Sequence, residues 1–207
     1  MAGQLASHLS HKSALALLLP PAVSAPIEAI RREHDKHFKR WPPHINLIYP
    51  FLASPSEPQV DLAQGSESPA LKQDIQRRIK EAVRHVEPFH LSLSADPPGI
   101  FSHSKRSKTV WLGPSTHLVR ELQAVLQNEF SECDADKRPY TPHLSIGQAH
   151  SDAGAQSLAS EITKHVSGFT MSQPTIDWYV DQVYVIERKG FHDRFKIVGA
   201  IKLGKEE

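Results

Sequence analysis

The chain has 207 residues, with 24 Lys and Arg against 23 Asp and Glu, a formal charge of +1, one Cys and 13 His. A hydrophobic share of 39% beside 23% charged residues argues against global disorder. The lone Cys133 excludes an internal disulfide, and the near-neutral balance argues against wholesale electrostatic binding to double-stranded DNA.

In chain order, residues 1–12 are expected to be a mobile N-terminus. Ala14 to Leu19 is the longest clean apolar run, far short of the roughly 18 residues of a membrane span. Lys12 precedes it and Pro20-Pro21 follows where a signal peptide would need a small-residue cleavage site. The run therefore reads as a buried strand, and the chain as an intracellular, cytoplasmic protein with the nucleus left open and no membrane partner. Ser24 is placed to cap a helix with Pro26 in its first turn, and Ile27, Ile30, His34 and Phe38 recur at helical spacing. Trp41-Pro42-Pro43 breaks it, and His44 to Tyr49 reads as a strand closed by Pro50. Ala53 to Ser68, rich in Ser, Pro and Gly, reads as a loop.

Leu71, Ile75, Ile79, Ala82, Val83 and Val86 trace an amphipathic helix. Phe89, Leu91 and Leu93 alternate with polar residues as in a half-buried strand, which Asp96-Pro97-Pro98-Gly99 is expected to end. A basic loop at His103 to Ser107 leads to a strand at Lys108 to Leu112 and a helix on Leu118, Leu122, Val125, Leu126 and Phe130. A strand at His143 to Gly147, a helix at about 153–166 and strands within 175–187 and 195–203 complete the order. Adjacent strand pairs and short alternating strands favour an antiparallel α+β fold over a parallel α/β sheet.

One pattern recurs at long range. Pro43-His44-Ile45-Asn46-Leu47 and Pro142-His143-Leu144-Ser145-Ile146 both read Pro-His-apolar-small polar-apolar at the start of an expected strand. Residues i and i+2 of a strand share a face, so each repeat presents an imidazole beside a neutral hydrogen-bonding side chain while the aliphatics face the core. His90-Leu91-Ser92-Leu93 is a near match without the Pro and reads as a solvated strand face. An imidazole titrates near neutral pH and serves acid-base chemistry, metal binding and pH sensing alike.

The two tetrads and their approaches, RWPPHINLIYPF and RPYTPHLSIG, resemble the 2H phosphoesterase superfamily of 2′-5′ RNA ligase-like and 2′,3′-cyclic nucleotide phosphodiesterase proteins. The resemblance spans about 13–203. It implies one bilobal domain over 1–207, with two pseudo-symmetric lobes, antiparallel sheets facing a central cleft and helices packed outside. Catalysis would fall to His44 and His143, and phosphate binding to Asn46 and Ser145. Asn46 stands where that family usually has Thr or Ser; its amide keeps an N–H donor, while the phosphate geometry it sets is open. Spacing does not decide which His is acid. The resemblance leans to His143 as base toward water and His44 as acid toward the leaving oxygen.

Arg40 and Trp41 before the first tetrad, Arg138 and Tyr140 before the second, and Arg106 in the basic loop are candidates to line the cleft, as cations for phosphate and aromatics for a base. Core packing of Trp41 and Tyr140 is the competing reading. His8-x-x-His11 and His34-x-x-His37 have metal-clip spacing but no third ligand nearby, so no metal and no cofactor is expected. The expected function is a metal-independent phosphodiesterase, acting as a monomer on the 2′,3′-cyclic phosphates of RNA 3′ ends or small cyclic nucleotides. Alternatives are a nucleotide or RNA-end binding module without turnover, a 3′-end RNA exonuclease, and a 2′-5′ RNA ligase.

Overall fold

The computed structural model describes residues 5–61, 66–170 and 174–205. The apolar run after Lys12 is a strand, β2 (Ser13–Leu18), preceded by the short β1 (Leu9–Ser10). Helix α1 (Pro21–His34) follows, then β3 (His44–Ile48), β4 (Phe51–Leu52), β5 (Ser56–Asp61) and β6 (Ser66–Leu71). Next come α2 (Gln73–Val83), β7 (Phe89–Ser104), β8 (Ser107–Pro114), α3 (Leu118–Glu129) and β9 (Leu144–Ala149). The chain ends with α4 (Asp152–Thr170), β10 (Thr175–Val180), β11 (Gln182–Glu187) and β12 (Lys196–Lys202).

Two four-stranded sheets organise these elements, with strand orders β12-β11-β2-β3 and β10-β7-β8-β9. Every pairing in both is antiparallel. The fold is therefore α+β, and each His tetrad lies at an edge strand of its own sheet, β3 or β9. The two edges meet.

The helices cross over between halves. α1, which leaves β2 of the first sheet, packs on β9 and β10 of the second and on α4, while α3, which leaves β8 of the second, packs on β3 of the first and on α2. Gly147 lets the end of α1 reach β9, since a Cβ there would stand 2.7 Å from the Cβ of His34 and 2.9 Å from Leu158. α1 also holds a buried ion pair. The Arg31 guanidinium donates to Asp35 at 2.9 and 2.6 Å, with both side chains 1% exposed, and reaches the carbonyl oxygen of Trp41 at 3.1 Å. Removal from water draws the Arg31 pKa down while the Asp35 carboxylate opposes that.

Several expectations need correction. Helix α1 starts at Pro21, with Pro20 as its cap, rather than at Ser24, and it stops at His34, four residues before Phe38. The expected loop at 53–68 contains a hairpin of β5 and β6 in which Pro58 faces Pro69; the backbone pairing satisfied there leaves no trace in hydrophobic alternation. Asp96-Pro97-Pro98-Gly99 does not end a strand. β7 runs through it, and the register against β8 shifts between Ser94 and Gly99, so the extra residues form a bulge. The N-terminus is tied down from Leu9 onward, where Leu9 is buried and pairs with Leu52, and His8 bonds the carbonyl oxygen of Glu132 at 3.0 Å; residues 1–4 lie outside the described residues.

Replacing Arg31 by Met should lower unfolding free energy in urea by about 3–5 kcal/mol, because it strands the Asp35 carboxylate in the interior. The Arg31→Met, Asp35→Leu double variant should recover most of that loss, which would identify the stranded charge rather than the lost contact as the cause.

Candidate active site

The two tetrads repeat in three dimensions down to single atoms. Nδ1 of His44 lies 2.7 Å from the carbonyl oxygen of Pro42, and Nδ1 of His143 lies 2.8 Å from that of Thr141. A carbonyl only accepts, so in each ring Nδ1 carries the hydrogen and the neutral form leaves Nε2 with its lone pair free. The prolines between explain the match. Pro43 and Pro142 force the residue before them into extended backbone, which presents that residue's carbonyl back to the imidazole two positions on.

Beyond each polar residue the strand bulges. β2 and β3 slip register where Ala16 faces Asn46 but Leu15 faces Ile48, and β8 and β9 slip where Trp111 faces Ser145 but Val110 faces Gly147. The slip turns the following residues into the interior, which is why Leu47 and Ile48 are both buried, as are Ile146 and Gly147. His44 with Asn46, and His143 with Ser145, remain half-buried on the open faces of their edge strands. Asn46 buries Oδ1 without a hydrogen-bond partner, leaving Nδ2 as the accessible end of the amide. The Tyr140 hydroxyl donates 2.9 Å to the carbonyl oxygen of Asn46, joining the approach of the second tetrad to the strand of the first.

The aromatic surroundings differ. Trp41 stacks on His44 with ring centroids 4.4 Å apart and planes 13° from parallel. His143 instead meets Phe101 edge-on at 4.8 Å and 86°, with Trp111 at 6.0 Å. Trp111 lies flat on its sheet and against Phe101, a position that only glycine permits, since a Cβ on Gly99 would fall inside the indole ring. Phe101 and Trp111 were not legible as site residues. Their signal is the alternation with His103 and Thr109, which shares their face and joins them through a 3.0 Å bond between His103 and Thr109.

Of the five candidate cleft residues, Tyr140 is corrected to its competing reading: it packs against the core, and its hydroxyl donates to the Asn46 carbonyl and links the two tetrads. Trp41 is corrected likewise, because its second face is covered by Phe195 at 3.9 Å. Arg40 turns to His37 Nδ1. Arg138 is exposed, forks onto Asp136 at 2.8 and 2.5 Å, and borders a groove of about 600 Å³ that also touches His11, Tyr49 and Lys137. Arg106 sits exposed at the β7–β8 turn. The next basic residue, Lys108, is buried on Asp152 at 2.7 Å and adds no free charge to that loop. In the pairs with metal-clip spacing, His34 faces Glu161 at 3.0 Å while His37 faces Arg40, so the two do not converge.

A model of the 2′-5′ RNA ligase superfamily matches residues 19–191. The chain belongs to that superfamily. Among solved structures, apo Escherichia coli LigT covers 96% of this chain and 100% of its own at 15% identity, with a TM-score of 0.55. The same protein complexed with 3′-AMP gives a TM-score of 0.53, with 94% and 99% covered at 15% identity. TT0787 of Thermus thermophilus gives 0.52 at 16% identity over 94% and 99%. At such identities these likenesses show the fold alone. No curated protein sequence matches the chain.

Within this superfamily fold, burial is the largest influence on both imidazoles and lowers both pKa values. His44 is pushed down to about 3, with the nearby Arg31 and His143 adding to the fall and the Pro42 carbonyl opposing it. His143 moves in the same direction, opposed by Thr141 and reinforced by Arg138 and His103. The free protein therefore holds both rings neutral at pH 7, each with its Nε2 lone pair. A dianion placed between them reverses the trend, because an opposite charge favours the imidazolium. Both rings should titrate below pH 6.5 by ¹⁵N NMR, and added inorganic phosphate should raise both midpoints. Midpoints that stay put under saturating phosphate would show that the imidazoles do not face a common anion site.

Proposed function

We propose that the chain is a metal-independent phosphodiesterase that hydrolyses 2′,3′-cyclic phosphates of RNA ends or small nucleotides, with His44 and His143 as the acid–base pair. The observation that carries this reading is the matched pair of imidazoles, each locked at Nδ1 by the carbonyl two residues back, on two meeting strand edges. Two such rings leave two Nε2 atoms for the two proton transfers that hydrolysis requires, so the scheme needs no cofactor.

In the reaction, neutral His143 takes a proton from water as its oxygen bonds to phosphorus. The bond from phosphorus to one ribose oxygen breaks on the far side, and that oxygen takes the Nε2 proton of His44, whose imidazolium form the bound phosphate anion favours against the burial that keeps the free ring neutral. The product is a nucleoside monoester, and one proton has passed from His44 to the leaving oxygen while another has passed from water to His143. Each transfer is worth about 10²–10⁴-fold. Asn46 Nδ2 and the Ser145 hydroxyl donate to the non-bridging oxygens, whose charge grows in the transition state. LigT, of the same fold, is solved with 3′-AMP, a ligand of the product's class.

The low imidazole pKa values set the pH dependence. The active pair holds one proton, and burial moves both protonations to the acid side of 6.5, so the rate should be bell-shaped with its alkaline limb falling as that last proton leaves. The test is incubation with the four nucleoside 2′,3′-cyclic monophosphates in the presence of a chelator, with the product isomer identified. His44→Ala and His143→Ala should each cut kcat by about 10²–10⁴-fold while the protein stays folded. Asn46→Ala should cost about 10²-fold, and Asn46→Thr should retain most of the rate. Nucleotide binding without turnover of any cyclic substrate would overturn the phosphodiesterase reading in favour of a binding module.

A further inference from the structure

Trp41 is covered on both sides. His44 and Phe195 lie 4.4 and 3.9 Å from its centroid with planes tilted by 13° and 29°; at those separations two rings cannot share one indole face, so they take opposite ones. Phe195 comes from the connection between β11 and β12, is 4% exposed, and donates its backbone N–H to the carbonyl of Arg40 at 2.9 Å. The guanidinium of Arg188 then lies 4.7 Å over the Phe195 ring. Four groups from two remote parts of the chain thus form one column: imidazole, indole, phenyl, guanidinium.

Arg188 fixes the far end of that column. It is 6% exposed, and no described carboxylate pairs with it. Its Nη1 donates to the carbonyl of Phe191 at 2.5 Å, its Nη2 to that of His11 at 3.1 Å, and its backbone N–H to that of Lys12 at 2.9 Å. Phe195, Ala14, Ala16 and Ile186 form a small buried cluster of their own, with Trp41 and Tyr49 packed against it. An imidazole on a strand has two torsions to fix. The Pro42 carbonyl holds Nδ1 of His44, and only a wall against the ring face stops the remaining tilt. His143 has no stacked partner, since both of its aromatic neighbours stand at 64° or more.

We propose that Phe195 and Arg188 are positioning residues for His44, acting through Trp41. This rests on the assignment of His44 to the acid–base pair, and the test separates the two. The full chain is labelled with ¹⁵N-histidine and compared with Phe195→Ala and Phe195→Tyr, reading the His44 ring nitrogens, the melting temperature, and kcat and KM on 2′,3′-cyclic AMP across pH. Phe195→Ala should move His44 from a single tautomer toward a mixture and leave the His143 signals in place. It should also lower kcat by about 10- to 100-fold, the cost of an ångström-scale misplacement, with KM little changed. Phe195→Tyr should restore both. Should Phe195→Ala fail to fold, Arg188→Lys retains the charge but not the fork onto two carbonyls, and should shift His44 in the same direction to a smaller extent. A lower melting temperature with His44 signals and kcat as in the parent would overturn the proposal and leave Phe195 as core alone. A parent that hydrolyses no cyclic nucleotide would sink the phosphodiesterase reading only, because the tautomer measurement still decides whether Phe195 orients His44.

Discussion

Each large sheet is covered by a helix that the other half of the chain supplies, and the placement of the two tetrads follows from that exchange. α1 leaves the first sheet to pack on β9, and α3 leaves the second to pack on β3. Neither half can turn without dragging a helix off its partner's core, so the distance between the edge strands is set by apolar packing over the width of the molecule. Exposed edges usually invite pairing with another chain. Here the two edges that carry the imidazoles lie near each other without pairing, and the Tyr140 hydroxyl donates to the Asn46 carbonyl at 2.9 Å to link them. That link is worth only about 1 kcal/mol, which is small beside the packing and matters chiefly for register.

On this frame the local chemistry is set by short-range rules. A proline before each histidine removes backbone freedom where the ring must be aimed. A bulge after each small polar residue then returns the chain to the core, so the imidazole and its polar neighbour stand out together ahead of it. The Arg31–Asp35 pair belongs to the same scheme, because the guanidinium also takes the Trp41 carbonyl at 3.1 Å and so ties α1 to the approach of the first tetrad.

Much of this was legible in the sequence, and the reasons are specific. His44, Asn46, His143 and Ser145 stood out because a strand period of two and a preceding Pro are both local, and the apolar pairs Leu47-Ile48 and Ile146-Gly147 even mark where alternation breaks. The helices on Ile75, Ile79 and Val83 and on Leu122 and Leu126 were legible because their apolar faces are narrow and regular. The β5–β6 hairpin was not, since it is held by backbone pairing in a Ser- and Pro-rich stretch. The passage of β7 through Asp96-Pro97-Pro98-Gly99 was hidden because a bulge tolerates prolines that a regular ladder would reject. The column behind His44 was invisible for a different reason. Phe195 and Arg188 sit about 150 positions from Trp41 in sequence, and no periodicity links residues that meet only through tertiary packing.

The near-perfect repetition of the two half-sites carries a geometric consequence. A pair of identical arms around one phosphorus would be palindromic: a bound diester could be flipped end for end and meet the same two groups. Handedness then comes only from the places where the halves disagree, an amide at Asn46 against a hydroxyl at Ser145, and a ring lying flat on His44 against rings standing upright at His143. Those mismatches, rather than the shared motif, would give a phosphodiester bound between the two half-sites its direction.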